Sequence, residues 1–168
     1  YAQLLKEWSH LEQGEEAVQE AVRKMALSGD TKDFFALIEK LLENLSNRDF
    51  IRFDEKQVKM AFMAYLIQAN IFDVRSEQEI SKGGYLDLQL LIKPNNPFKH
   101  HQFLLELKYL KKEEEHLLTE TLQEAKKQVL RYFQQDAGLQ SKEMLHLVAV
   151  VIVKNKVFAE EIKTQFLC

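Results

Sequence analysis

An α/β domain with a mixed central sheet is predicted by three features of the sequence. Apolar residues recur at helical spacing up to about residue 70, and the apolar period changes to that of a strand from Ile71 onward. A charged helical segment then leads into Leu145–Val153, a nearly uniform apolar and β-branched run of the kind that forms a strand buried on both faces.

The elements follow in order. Leu4, Trp8, Leu11, Val18, Val22 and Met25 recur every three or four residues, which predicts a first helix ending at Ser28-Gly29-Asp30. Asp30 or Thr31 caps a second helix, whose Phe34, Leu37, Ile38, Leu41, Leu42 and Leu45 form a wide apolar stripe, so the two helices are expected to pair as a hairpin. Ser46-Asn47-Arg48-Asp49 interrupts the pattern, and a third helix is expected over 54–70 with Val58, Ala61, Phe62, Tyr65, Leu66 and Ala69 on one face. Val74, Ser76, Gln78 and Ile80 alternate with Asp73, Arg75, Glu77 and Glu79 as in an extended strand; Ser81-Lys82-Gly83-Gly84 is a turn signal, and Tyr85–Ile92 resumes as a second strand. Lys93-Pro94-Asn95-Asn96-Pro97 is a loop, because proline lacks the ladder donor and asparagine favours turns. A third strand over 101–109, a helix over 113–135 with Leu118, Leu122, Ala125, Val129 and Tyr132 on one face, the buried strand and a short last strand over 157–159 complete the order αα, then αβββαββ. Residues 1–48 read as a helical appendage and residues 49–168 as the α/β domain.

A chain of 168 residues fits one compact domain with a proper core, and 46% hydrophobic with 29% charged residues excludes a disordered or low-complexity class. No apolar run reaches the roughly 18–20 residues that span a bilayer. A first residue Tyr1 without an initiator Met or signal-peptide pattern is expected of an excerpt from a longer protein. Cys168 is the single cysteine, so neither a disulfide framework nor a cysteine-based zinc site is available, and a cytoplasmic setting is expected. The formal charge of −3 argues against a basic coat for nucleic acid but leaves room for a local basic patch beside an acidic site.

The chemistry is concentrated in Leu104-Leu105-Glu106-Leu107-Lys108. On a strand, Glu106 and Lys108 point to one face while Leu105 and Leu107 point to the other. Asp87 lies on the preceding strand, after a Gly-Gly turn, and antiparallel pairing brings it towards Glu106. Two converging carboxylates repel one another unless a cation lies between them, and Mg²⁺ or Mn²⁺ suits such oxygen ligands. A lysine beside that site can orient a water or stabilise charge developing on a phosphate, so phosphodiester hydrolysis is the chemistry these residues fit.

Asp87, then Glu106-x-Lys108 on the next strand, inside an αβββαβ order, resembles the signature of the PD-(D/E)XK nuclease superfamily. Ser76-Glu77, Gly83-Gly84-Tyr85-Leu86-Asp87, the segment 103–108 and Gln128-x-x-x-Tyr132 are similar to the nuclease-like domain that follows an AAA-ATPase-like domain in many bacterial and archaeal proteins. The resemblance covers roughly Asp49 to the end and implies a restriction-endonuclease-like core, an AAA-ATPase-like domain in the parent chain, and a nucleic-acid substrate, DNA before RNA. It also implies Mg²⁺ or Mn²⁺ on Asp87, Glu106 and the backbone carbonyl of Leu107. By the same likeness Glu55 matches a helical acid that reaches the metal, and Gln128 and Tyr132 match an element beside the active site, one turn apart on a helix. Leu86 replaces the proline of the nominal motif, a position that is no ligand. Tyr85 replaces an arginine often found there, a departure that counts against a phosphate contact at that position and not against metal binding.

Plainer readings stand beside these. Glu77 and Glu79 suit the solvated face of an edge strand, with a place in the site as the alternative, and Glu55 suits a helix N-terminus. His100-His101 reads as a solvated loop tip. Lys111, Lys112, Lys126, Lys127 and Arg131, with Lys108, form either a basic rim for a nucleic-acid backbone or a helix face balanced by Glu113, Glu114, Glu115 and Glu124. The rival function is a catalytically inactive nuclease-fold module that binds nucleic acid or a partner protein.

Overall fold

A computed structural model describes residues 14–45, 53–79, 85–94 and 100–162. Leu4, Trp8 and Leu11, the break at Ser46–Asp49, the Ser81–Gly84 turn, Asn95–Pro97 and Cys168 lie outside the described residues, as does the expected boundary between 48 and 49.

Three helices cover one face of the sheet. In α1 (Gly14–Ser28) Val18, Ala21, Val22, Met25 and Ala26 are buried, and in α2 (Lys32–Glu43) Phe34, Phe35, Ile38, Leu41 and Leu42 are. The Asp30 carboxylate accepts from the Lys32 N–H at 3.0 Å, whereas the Thr31 hydroxyl makes no capping bond. Helix α3 (Glu55–Ala69) starts with a capping box: Asp54 accepts from the Lys56 and Gln57 N–H groups while the Gln57 side chain accepts from the Asp54 N–H. It ends on Asn70 in the left-handed conformation, φ 56°. The Phe34 and Phe62 rings meet edge to face at 5.5 Å, locking α2 to α3.

The sheet runs β1 (Phe72–Glu79), β2 (Tyr85–Ile92), β3 (Gln102–Leu110), β4 (Leu145–Val153) and β5 (Lys156–Ile162), in that spatial order. It is mixed, because β3 pairs parallel with β4 while the other neighbours are antiparallel. A parallel pair needs a crossover, and here it is a 3₁₀ turn (Lys112–Leu117), α4 (Leu118–Gln135) and the short α5 (Ala137–Gln140). Leu88, Leu90, Phe103, Leu105, Leu107, Val148, Val150 and Ile152 form one hydrophobic cluster with α1, α2 and α3. On the opposite face, Leu104, Leu147, Ala149 and Val151 pack with Leu122, Ala125, Val129 and Tyr132 of α4. The layers are therefore α/β/α, and the described helices of the 1–48 segment share the sheet's core.

Gly29 joins α1 to the sheet. Its φ is 75°, and an added Cβ would lie 3.0 Å from both His101 Nδ1 and His146 Cε1. The left-handed backbone favours glycine, and a Cβ would force the two rings to give by a few tenths of an ångström.

Three boundaries differ from expectation. The helix expected from 113 begins as a 3₁₀ turn, since none of the residues Lys112–Leu117 is buried to anchor an α ladder. Asp136 starts the unforeseen α5 by accepting from the Leu139 N–H, and Leu139 is buried. The last strand extends to Ile162, pairing along β4 from Val153↔Lys156 to Leu147↔Ile162; its exposed Glu160 and Glu161 hide a strand that backbone pairing holds.

Candidate active site

The site lies where the ladder between β2 and β3 stops. Leu90↔Phe103, Gln89↔Leu104 and Leu88↔Leu105 are paired. The next pair in that register would set Asp87 opposite Glu106, but there the Asp87 carboxylate accepts from the Leu107 N–H at 2.9 Å. A side chain thus replaces a backbone rung and points into the opening between the strands. On the other side, Ser76↔Leu88 and Gln78↔Leu86 flank Glu77, which stands beside Asp87 with φ 52°. A left-handed glutamate within a strand is a strained conformation of the kind that gathers at functional positions.

Side chains from five elements, α3, β1, β2, β3 and α4, converge here. Glu55, Lys59, Glu77, Tyr85, Asp87, Glu106, Lys108, Gln128 and Tyr132 line a cleft of about 500 Å³. Lys108 Nζ lies 3.0 Å from Glu106 Oε1 and 3.7 Å from Glu55 Oε2. Lys59 Nζ lies 2.6 Å from Glu77 Oε1 and 3.6 Å from Asp87 Oδ1. Gln128 and Tyr132, four residues apart on α4, close the cleft from the other side.

Burial shapes the charges. Glu106 is 2% exposed, and its carboxyl is pushed up to about 7, by desolvation first and by Asp87 second, with Lys108 opposing. Burial and Asp87 also raise Glu55 against the pull of Lys108 and Lys59. For Lys59 and Lys108 burial acts downward, but the facing carboxylates outweigh it, so both ammonium groups are held above the ordinary lysine value. Glu106 Oε2 and Gln128 Oε1 are buried without a hydrogen-bond partner. A buried partnerless oxygen costs about 1–3 kcal/mol, more for a charged one, so these atoms call for a ligand.

Asp87, Glu106, Lys108, Gln128, Tyr132, Glu55 and Glu77 are thus brought together. The five outer basic residues are not part of the lining. Lys112 is paired with Glu115, and Lys126 Nζ lies 2.8 Å from Glu160. Lys111 and Lys127 are exposed, and the exposed Arg131 has its Cζ 5.1 Å from the centroid of the Tyr132 ring. The side chain of Glu79 lies outside the described residues.

The solvated loop tip expected at His100-His101 is incorrect. His100 is buried edge-on to Phe72. His101 Nδ1 lies 2.6 Å from His146 Nε2, and His146 Nδ1 lies 2.7 Å from Glu161. The His101 N–H donates to Ala26 O at 2.8 Å, so the end of α1 holds this point just before β3, with His101 half-buried.

Lys59 escaped the sequence reading. Its signal was its place four residues after Glu55 on the same helix face. Tyr85, 60% exposed at the rim, entered only as a departure from a motif.

Among the described residues no three His, Cys, Asp or Glu side chains converge as a metal cluster. The donor set nevertheless fits a hard divalent cation that takes two carboxylates and fills its remaining positions with water and phosphate oxygens. The partnerless Glu106 Oε2 beside Asp87 carries that fit.

An α/β/α sandwich whose mixed sheet brings an aspartate of β2 to a Glu-x-Lys of β3 defines the restriction-endonuclease-like class of fold. Residues 53–162 match the family model of the PD-(D/E)XK nuclease superfamily, and the chain belongs to that superfamily. No curated protein matches the chain. Helices α1 and α2 precede the matched region, although they complete its core.

Proposed function

We propose that this chain is a metal-dependent nuclease domain that hydrolyses phosphodiester bonds, with DNA as substrate in preference to RNA. The observation that carries the reading is Glu106: buried, with one oxygen on Lys108 and the other partnerless, beside Asp87. Asp87, Glu106 and the Leu107 carbonyl would hold Mg²⁺ or Mn²⁺, which supplies a water of lowered pKa and polarises a phosphoryl oxygen. Lys108, kept charged by its carboxylate neighbours, orients the attacking water and offsets charge developing on the phosphate. Gln128, whose buried Oε1 has no hydrogen-bond partner, and Tyr132 line the α4 side of the cleft, while Glu55 adds a carboxylate from α3. Lys127 and Arg131, with Lys111, track the nucleic-acid backbone outside the cleft. Lys112 and Lys126 contribute less, because Glu115 and Glu160 already neutralise them.

The association with an AAA-ATPase-like domain rests on the likeness of the motifs; this chain has no phosphate-cradling glycine-rich loop of its own. A cytoplasmic setting rests on the single cysteine; among the described residues no helix is long and apolar enough to cross a membrane.

The test is Mg²⁺- or Mn²⁺-dependent cleavage of single- and double-stranded DNA and of RNA by the wild type and Lys108→Ala. Equal activity in both proteins removes the mechanism. The rival is an inactive module of the same fold that binds nucleic acid or protein. Calorimetry separates the two: Mn²⁺ binding that Asp87→Asn abolishes supports the nuclease, and no binding by the wild type supports the rival.

A further inference from the structure

Lys59 approaches two carboxylates on neighbouring strands. Its ammonium lies 2.6 Å from Glu77 Oε1 and 3.6 Å from Asp87 Oδ1, with its side chain only 12% exposed. Glu77 reaches it from a left-handed backbone position, φ 52°. A strained glutamate on one strand, an aspartate on the next and a lysine from α3 therefore form a charge cluster on one side of the cleft, with the Glu77 side chain 65% exposed and Lys59 and Asp87 beneath it. Lys108 makes the matching pair with Glu106 on the other side.

The charge balance gives this arrangement a consequence. Glu55, Glu77, Asp87 and Glu106 line the cleft together with Lys59 and Lys108, and with every group ionised the cleft carries two more negative than positive charges. One divalent ion balances that excess. A second ion, as in two-metal sites whose ions lie about 3.5–4 Å apart and stabilise the attacking and leaving oxygens, needs further free carboxylate oxygens. Those of Glu77 and Asp87 are the ones that face Lys59.

We propose that Lys59 is a positioning residue that acts as an internal cation: it holds Glu77 and Asp87 where a second metal ion would bind, and so limits the site to one divalent ion. The proposal rests on reading the cleft as a divalent-ion site. The chain thereby carries its own substitute for the second charge. Loss of the Lys59 charge leaves Glu77 and Asp87 unneutralised, which invites an ion in its place; removing the Glu77 charge as well restores the balance.

Mn²⁺ binding to the full chain tests this, read as ions bound per chain by calorimetry and electron paramagnetic resonance, without any nuclease assay. The wild type is expected to bind one ion, Lys59→Met two, and the double variant Lys59→Met/Glu77→Gln one again. Lys59→Arg, which keeps the charge, is expected to bind one. Two ions on the wild type, or a single ion on a folded Lys59→Met, overturns the role of Lys59 and leaves the metal-dependent reading standing. No ion on the wild type overturns both. If Lys59→Met does not fold, Lys59→Gln, which also removes the charge, takes its place: two ions on it are expected, and a single ion overturns the role of Lys59.

Discussion

The Asp87 carboxylate accepts a hydrogen bond from the backbone N–H of Leu107 at 2.9 Å, at the point where backbone pairing between β2 and β3 ends. One side chain therefore has two duties. It satisfies a buried main-chain donor, and it turns its remaining charge towards Glu106 and Lys59.

Substitution at Asp87 separates these duties. Asp87→Ala leaves the Leu107 N–H without an acceptor and is expected to cost about 1–3 kcal/mol of stability. Asp87→Asn keeps an acceptor and is expected to remain near wild-type stability while losing Mn²⁺ affinity. Urea denaturation of both variants, with calorimetry on the second, measures the difference; equal destabilisation would contradict it.

Glu106 makes the metal-free protein sensitive to pH. Its carboxyl is raised from 4.5 to about 7 in the folded state, so the native chain binds more protons than the unfolded one between those values. The Glu106 contribution is fully present below pH 4.5 and is lost as the pH rises through 7, a change of up to about 3 kcal/mol. Burial lowers the His101 imidazole from 6.5, so its contribution has the opposite sign, present above that value and lost as the pH falls. Subtracting the stability profile of Glu106→Gln from that of the wild type isolates the carboxylate. A flat difference from pH 4 to 8 would refute the assignment.

Lys108→Met is expected to lower the rate of cleavage by about 10²–10³-fold, the usual loss of a group that stabilises developing charge. Mn²⁺ binding should persist, because the oxygen donors remain. A rate within a factor of about three of the wild type would remove Lys108 from the reaction.

Gly29→Ala is expected to destabilise the fold by roughly 1–3 kcal/mol, since φ is 75° and the new methyl meets the His101 and His146 rings at 3.0 Å. Thermal unfolding measures this. An unchanged midpoint would mean that the junction between α1 and the sheet yields freely.

Lys127→Ala and Arg131→Ala are each expected to reduce the slope of log affinity against log salt by about one for DNA binding without Mg²⁺. Lys112→Ala should change it less, because Glu115 already pairs with that lysine. Equal slopes for all three variants would exclude a nucleic-acid track along α4.

Much of the scaffold is local in origin and was therefore legible along the chain. The bounds of β2 and β4, Tyr85–Ile92 and Leu145–Val153, coincide with expectation: β4 is written as a nearly continuous apolar run, and β2 as apolar residues interrupted by Asp87 and Gln89 that end at Lys93-Pro94. The alternation of strand side chains alone puts Glu106 and Lys108 on one face, and their 3.0 Å contact follows from it. Asp54 and Gln57 likewise bracket the start of α3 by a short-range exchange of hydrogen bonds.

The rest depends on approach between distant segments. His100 and His101 carry no local mark of burial: Phe72 of β1 covers His100, and α1 accepts the His101 N–H, only once the fold is assembled. The length of β5 depends on backbone bonds to β4, which its exposed glutamates do not reveal. Sequence by itself determined the order of the three leading helices, the five strands and the long crossover helix, and that Glu106 and Lys108 share a strand face, because periodicity acts through neighbours along the chain. Only the tertiary structure decided where the β2–β3 ladder stops, that Glu77 turns through a left-handed conformation, and that Lys59 meets it from a residue separation of 18. Those contacts arise from register and packing across the sheet, which no spacing within one element encodes.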